Sequence, residues 1–261
     1  METERLYREA LDMKLRLDPE DVDVAKAMTN LANPLMIQGK YDEAEGYYKK
    51  ALAMRIDAYG REDSGDVAKS LKSLATLYYT WGDMAKAEPL LLESLEIRQR
   101  RDELDKSVTT GIYSALGRVY HAQGRHEEAR EQLQRALDRR LELLGEDHDH
   151  VAISRRDLAA LLVDLGELEE AERLLEEALG VLVRVKGAGS WEVAVARSVR
   201  GALRSAQGKD DEALKDLVEG YETLRRIRGD EAIYTRDARH RLRARTRTAP
   251  GAQPAAVAPK D

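Results

Sequence analysis

The sequence predicts an all-α protein built as a solenoid of antiparallel helix pairs. Three observations predict this class: a 14-residue segment recurs at near-constant spacing, apolar residues fall three and four positions apart, and strand-forming residues do not dominate. Charged residues make up 35% of the 261 residues and Phe is absent, so Leu, Ala, Val, Ile and Tyr must share the core. This composition is typical of exposed amphipathic helices.

The recurring segment is seen first as GKYDEAEGYYKKAL, and its glycine returns in steps of 43, 42, 42 and 42 residues. Two small residues, seven positions apart, return with the glycine. The copies contain Gly39, Ala44 and Ala51; Gly82, Ala87 and Ser94; Gly124, Ala129 and Ala136; Gly166, Ala171 and Ala178; and Gly208, Ala213 and Gly220. Small residues two helical turns apart share one face, so each copy predicts a second helix that closely approaches a first one.

A further recurring segment precedes each glycine and predicts the first helix of each pair. Four copies contain a leucine followed directly by a small residue, as at Leu31 and Leu116, and the fifth has Arg200 in that place. Glycine suits the left-handed C-cap at which such a helix would end. The five predicted units span residues 18–62, 63–105, 106–147, 148–189 and 190–230.

The N-terminal end of the array, residues 1–17, matches a second helix only. The stripe expected to face the array contains Leu6, Ala10, Met13 and Leu17. The opposite side, expected to be partly uncovered, contains Tyr7, Leu11 and Leu15. Because solenoid ends need polar caps, we interpret this end either as the continuation of a longer protein or as a surface for self-association.

The C-terminal end, residues 231–247, predicts an Arg-rich capping helix. A narrow apolar stripe of Tyr234, Ala238 and Leu242 runs along it. The following residues, 248–261, are rich in Pro and Ala and predict a disordered tail.

The repeats resemble the tetratricopeptide repeat family in its 42-residue form, as in kinesin light chains and many bacterial proteins. The resemblance covers residues 1 to about 246 and rests on the LA, LG or RG pair, the glycine turn and the spaced small residues. The connector GEDHDHVA at Gly145 to Ala152 also looks like the family's G-x-D-H-P-x-V-A. The resemblance implies a right-handed superhelix whose concave wall, lined by the first helices, binds a peptide or a partner's helix.

Offsets carried over from the resemblance give the residues of this concave wall. The candidate peptide-groove residues are Lys26, Asn33, Met36, Lys69, Lys72, Thr76, Tyr79, Ser114, Arg118, His121 and Arg156. Five of them are Lys or Arg, so we expect an acidic or carboxylate-bearing segment as partner, steered by charge and held by apolar contacts. The alternative is that these charges are solvated in a groove that is empty or filled by its own chain.

None of the candidate residues indicates catalysis, a metal or a cofactor. The chain has no Cys, which excludes disulfides and thiolate chemistry. His148 and His150 form an H-x-H pair, but two histidines in a connector supply a weak chelate, and we interpret this loop as solvated. Carboxylates such as Glu169 and Glu170 lie at the starts of second helices, where the helix dipole favours them. We therefore predict a non-enzymatic protein.

The leading hypothesis for function is a protein–protein interaction scaffold. The sequence has no membrane span and no secretory signal, and we expect a cytoplasmic location. A net charge of about +5 on residues 234–261 and −11 on the rest argues against general nucleic-acid binding. The alternatives are the sensor or regulatory portion of a larger signalling enzyme and, with less support, nucleic-acid binding through RHRLRARTR at Arg239 to Arg247.

Overall fold

The structure, a computed structural model, describes residues 2–61, 64–101 and 107–248, which form twelve α-helices and no strand. The helices are α1 (Glu2–Leu17), α2 (Val22–Ile37), α3 (Tyr41–Tyr59), α4 (Gly65–Trp81), α5 (Met84–Arg100), α6 (Ser107–Ala122), α7 (His126–Leu144), α8 (Asp149–Leu165), α9 (Leu168–Lys186), α10 (Trp191–Ala206), α11 (Asp210–Arg228) and α12 (Ile233–Thr248). The predicted all-α class is confirmed. The Pro/Ala-rich tail, from residue 249 onward, lies outside the described residues.

The helices pack as consecutive antiparallel pairs. The pairs are α2 with α3, α4 with α5, α6 with α7, α8 with α9 and α10 with α11, each joined by two or three residues. The first helices of successive units also touch one another, from α2 and α4 through α10 and α12. This contact places the first helices on the inside of the curve, where they form the concave wall.

The recurring small residues lie where paired helices cross. Ala44, Ala129 and Ala171 have no exposed surface. At Gly117 in α6 the paired helix comes so close that a Cβ atom would lie 2.6 Å from the Cγ of Leu133. The close approach therefore depends on the absence of a side chain at this position.

The recurring glycines end the first helices. Gly82 follows α4 with φ of 101°, and Gly166 follows α8 with φ of 79°. At both ends the glycine amide donates to a carbonyl one turn earlier, which satisfies a backbone acceptor that the helix leaves free. Residues with a Cβ rarely adopt this left-handed conformation, which explains why glycine returns at this point of the unit.

The exposure of α1 differs in part from the sequence prediction. Tyr7 and Leu15, expected to be partly uncovered, are 37% and 38% exposed, but Leu11 on the same side is buried. The stripe expected to face the array is the more exposed one, since Leu6, Met13 and Leu17 are 53%, 65% and 80% exposed. The physical reason is that this stripe corresponds to the contact with a first helix of the same unit, and the described residues include no such helix before α1.

The C-terminal helix α12 packs against α10 and α11. Ala238 is fully buried and Tyr234 partly buried, so the predicted apolar stripe faces inward. The first turns of α12 also reach across the concave side, where Arg236 donates to the carbonyls of Thr80 and Trp81 at 3.1 and 3.3 Å. The helix therefore does more than cover the end of the array, because it connects that end to α4.

Candidate functional site

The first two units contribute separate side chains to the concave wall. Lys26 and Asn33 of α2 are exposed, and the hydroxyl of Tyr48 donates to the Asn33 amide oxygen at 2.6 Å. Met36 is partly buried against the core, and Lys69, near the start of α4, is exposed. These predicted groove residues do not come together in one cluster.

Two predicted hydroxyl groups are engaged within their own helices. The Oγ1 of Thr76 donates to the Lys72 carbonyl at 2.9 Å. The Oγ of Ser114 donates to the Thr110 carbonyl at 3.4 Å, and Ser114 is only 4% exposed. Ser114 is therefore part of the helix packing and is not available to a partner in this structure.

Lys72 lies deeper in the wall than the other predicted lysines. Its Nζ covers Gly111 of α6, where a Cβ atom would lie 2.7 Å from it. Burial lowers the pKa of Lys72 to about 8, and the nearby guanidinium groups of Arg118 and Arg140 add to this effect. No described residue gives the Lys72 ammonium group a hydrogen bond or an ion pair. At neutral pH this group is therefore charged, with no counterion among the described residues.

Arg118 of α6 and Arg156 of α8 lie on either side of Asp157. Arg156 donates to one carboxylate oxygen of Asp157 at 2.6 and 3.0 Å, and Arg118 lies 3.8 Å from the other. Burial opposes the ionisation of Asp157, but the surrounding guanidinium groups outweigh burial and hold its pKa below the ordinary value. Arg156 is 1% exposed, so this predicted groove cation is paired inside the wall.

Arg140 of α7 adds a fourth cation that the sequence analysis missed. Its guanidinium donates to the His150 carbonyl at 3.2 Å and to the Ser154 hydroxyl. Burial lowers its pKa to about 10. Arg140 lies on a second helix, outside the predicted groove positions, which all lie on first helices. Arg55, Arg98 and Arg140 are spaced by the repeat period, and that signal could have identified a second-helix position that reaches the next unit.

The cationic cluster, as named here, consists of Arg118, Arg140 and Arg156, which act on Asp157, together with Asp157 itself and Lys72, which lies beside Arg118 and Arg140. It contains four cations and one carboxylate, and its members perturb one another's pKa values. Like charges in a partly desolvated wall repel one another more strongly than in water, and an anion relieves this repulsion. The arrangement can therefore bind a carboxylate or another anion.

Tyr234 of α12 faces the cationic cluster across the groove. Its hydroxyl accepts a hydrogen bond from Arg118 at 3.2 Å, and its ring lies 5.8 Å from the Arg156 guanidinium and 5.4 Å from the Trp191 ring. Tyr79, a predicted groove residue, lies under Arg118 at 5.3 Å. A cavity of about 300 Å³ lies between α12 and the first helices α4, α6, α8 and α10. Part of the groove is thus occupied by the chain's own C-terminal helix.

His121 lies at the edge of this cavity and has a partner of its own. Its Nε2 is 2.7 Å from a carboxylate oxygen of Asp164. Burial opposes the ionisation of Asp164, but this contact with His121 keeps its pKa below the ordinary value. In the described part of the chain no group of three His, Asp or Glu side chains could hold a metal ion, and no helix there is long and apolar enough to cross a membrane.

Comparison with protein families and curated proteins identifies related sequences. The family model of the tetratricopeptide repeat matches residues 23–100 and 109–182. Tetratricopeptide repeat protein 19 homolog, mitochondrial, of Drosophila melanogaster is 32% identical over 111 residues. The match covers 41% of this chain and 29% of that protein, so the chain spans less than a third of the curated relative.

Solved structures share the architecture. The TPR-like repeats of a putative kinesin light chain from Podosopora anserina align with a TM-score of 0.60 and 20% identity, covering 79% of this chain and 97% of that one. BtubC from P. vanneervenii aligns with a TM-score of 0.53 and 24% identity, covering 86% of this chain and 98% of that one. A Rap protein complexed with Competence and Sporulation Factor aligns with a TM-score of 0.65 and 15% identity, covering 94% of this chain and 73% of that one. At these identities the likeness establishes the fold and confirms the predicted resemblance.

Proposed function

Since the chain belongs to the tetratricopeptide repeat family, we propose that it is a non-enzymatic interaction scaffold whose concave groove binds an acidic peptide or helix of a partner protein. The observation that carries the proposal is the cationic cluster, in which Arg118, Arg140 and Arg156 act on Asp157 and Lys72 lies beside Arg118 and Arg140 with no ion pair to a described residue. An acidic segment adds negative charge beside these cations. The Rap neighbour, solved with Competence and Sporulation Factor bound, supports partner binding by this architecture.

Among the four cations, Lys72 gains the most favourable new electrostatic interaction from such a partner. Its ammonium group has already lost much of its hydration on folding without gaining a counterion from any residue that the structure describes. A carboxylate within hydrogen-bond distance provides a charge-assisted interaction, which is stronger than one between neutral groups. Arg118 and Arg156 each have one buried nitrogen, Nε and Nη1 respectively, without a hydrogen-bond partner among the described residues, whereas Arg140 acts mainly through its charge because its guanidinium donates to His150 and Ser154. Binding is therefore expected to weaken as salt screens the cluster.

A peptide of ten glutamates with a fluorescein label tests the proposal by fluorescence anisotropy on the full chain. We expect Lys72→Glu to weaken binding by about tenfold or more, because it reverses a charge within the cluster. Lys215→Glu is the matched control, since Lys215 is exposed on α11 and the change in net charge is the same. An equal loss in the two variants would show that net charge, and not the cluster, determines binding.

Nucleic-acid binding through α12 receives less support from the structure. Four arginines of this helix have partners within the chain. They are Arg236 with the Thr80 and Trp81 carbonyls, Arg239 with Asp230, Arg241 with Ser198, and Arg245 with Asp210. A phosphate backbone would have to compete with these contacts, and the rest of the chain is acidic. A protein partner is therefore the better proposal.

The exposed stripe of α1 is a separate candidate contact. Leu6, Met13 and Leu17 are more than half exposed, and self-association through them stays a prediction. Light scattering on the wild type and on Met13→Lys measures it, with a dimer expected for the first and a monomer for the second. A cytoplasmic location and a place within a larger signalling enzyme likewise stay predictions from the sequence.

A further inference from the structure

A small set of contacts, named here the seam, joins the start of α12 to the N-terminal units across the groove. The seam consists of Arg236 with Thr80 and Trp81, Tyr234 with Arg118, and Tyr41 with Glu231. The partners are far apart in the chain, since 116 residues separate Arg118 from Tyr234 and 190 separate Tyr41 from Glu231. The seam therefore connects the C-terminal end of the solenoid to its N-terminal units across the groove.

The N-terminal side of the seam is formed by Tyr41, Trp81 and Gly82. The rings of Tyr41 and Trp81 stack with centroids 5.6 Å apart, and the Tyr41 hydroxyl donates to the Glu231 carbonyl at 3.4 Å. Beside them, a Cβ atom at Gly82 would lie 3.3 Å from the Arg236 guanidinium, so the glycine leaves room for this side chain. The Arg236 side chain then lies over the end of α4 and donates to its last carbonyls.

The seam is weaker than the other contacts of α12. This helix packs its backbone against α10 and α11, whereas it reaches α4 and α6 through a few polar side chains. Water can replace such hydrogen bonds at a small net loss of free energy. The seam can therefore open while the helix pairs stay intact.

In this structure the Arg118 guanidinium is engaged by two tyrosines. Its Nη1 donates to the Tyr234 hydroxyl at 3.2 Å, and it lies over the Tyr79 ring at 5.3 Å. Helix α12 also lines the cavity of about 300 Å³ beside it. A partner that accepts the hydrogen bond from Arg118 Nη1 must therefore displace the Tyr234 hydroxyl.

We propose that this structure is the closed state of the groove, and that an acidic partner binds the cationic cluster after the seam opens and Tyr234 leaves Arg118. The inference rests on the proposed function and specifies its regulation, with α12 as an internal competitor. The observed affinity is then the affinity of the open state reduced by the fraction of molecules that are open. A carboxylate replaces the neutral Tyr234 hydroxyl with a stronger acceptor, which favours opening once the partner is present.

Arg236→Ala tests the seam without changing the cationic cluster, since Arg236 contacts the backbone carbonyls of Thr80 and Trp81. The matched control is Arg243→Ala, because Arg243 is exposed on the same helix and the substitution and charge loss are identical. With the ten-glutamate peptide, we expect Arg236→Ala to bind about three- to tenfold more tightly than the wild type, as two lost hydrogen bonds favour opening. The control is expected to bind equally or slightly more weakly, since it only loses a positive charge.

Opening is also measured without any partner. The chain has no Cys, so spin labels on Ala85→Cys and Glu231→Cys attach only on the two sides of the seam. Both positions are exposed, and electron–electron dipolar spectroscopy reports the distance between them. We expect one short distance in the wild type and in the Arg243→Ala background, and a longer, broader distribution with Arg236→Ala.

The outcomes separate this inference from the function on which it rests. Tighter binding and a longer distance for Arg236→Ala alone support the seam. An unchanged distance and unchanged affinity, with binding still lost in Lys72→Glu, overturn the seam and leave the acidic partner in place. Failure of all variants to bind the peptide, the opened one included, overturns the acidic partner and the inference together.

Discussion

Replacing Lys72 by Met removes a buried charge for which the described part of the chain offers no counterion. Burial lowers the pKa of Lys72 from 10.5 to about 8. At about 1.4 kcal/mol for each pH unit, this interval corresponds to roughly 3 kcal/mol of unfavourable interaction at pH 7. Because Lys72 keeps some exposed surface, water screens part of this amount. We expect Lys72→Met to increase the free energy of unfolding by about 1–3 kcal/mol at pH 7.

The effect has a defined pH dependence. Between pH 8 and 10.5 the Lys72 side chain of the unfolded chain binds a proton more strongly than that of the folded chain. The wild type therefore gains stability as the pH rises through this window, whereas Met has no proton to lose. The advantage of Lys72→Met is largest at or below pH 7 and should decrease steadily toward pH 10.5.

Urea unfolding followed by circular dichroism at 222 nm, at pH 7, 8, 9 and 10, measures this difference for the full chain. The matched control is Lys215→Met, on the exposed face of α11, which is expected to change the free energy by less than about 0.5 kcal/mol at every pH. Destabilisation by Lys72→Met, or a difference from the wild type that stays constant between pH 7 and 10, would refute the reasoning.

Three further substitutions test the packing and the cluster. Gly117→Ala places a Cβ atom against Leu133 and should destabilise the chain by about 1–3 kcal/mol, seen as a lower melting temperature. Ala171→Leu overfills a fully buried helix contact and should lose a similar amount, so an unchanged melting temperature would count against the predicted pairing. Asp157→Asn leaves the buried Arg156 without its anion and should lose about 3 kcal/mol in urea unfolding, and a loss below about 1 kcal/mol would contradict its role.

The fold could be predicted because the same contact between paired helices recurs in all five repeat units. Ala44, Ala129 and Ala171 mark one side of each helix crossing, and Gly82 and Gly166 mark the turns, so local chemistry and period agree. The more exposed face of α1 was predicted wrongly, although Tyr7 and Leu15 are partly uncovered as expected, because the sequence of α1 offers two apolar stripes. The choice between them depends on which neighbouring helix is present, and local sequence does not contain that information.

The site was predicted in part. The offsets found Lys72 and Arg118, which lie together in the wall, but Arg140 approaches from a second helix. Tyr234 lies on α12, 116 residues after Arg118 in the chain. Its position relative to Arg118 depends on the small rotation that each repeat unit adds. A period along the chain does not fix the sum of these rotations, so closure of the groove became visible only in the structure.

The state of the Lys72 ammonium group in the free and the bound chain tests the central claim most directly. Nuclear magnetic resonance of its ¹³Cε and ¹⁵Nζ, assigned by loss of the signals in Lys72→Met, follows its titration with and without the ten-glutamate peptide. We predict a pKa of about 8 in the free chain. We also predict a rise of about one pH unit or more with the peptide bound, because a carboxylate stabilises the charged form. An ordinary pKa in the free chain, or a pKa that the bound peptide leaves unchanged, would contradict a groove that binds acidic partners through an uncompensated cation.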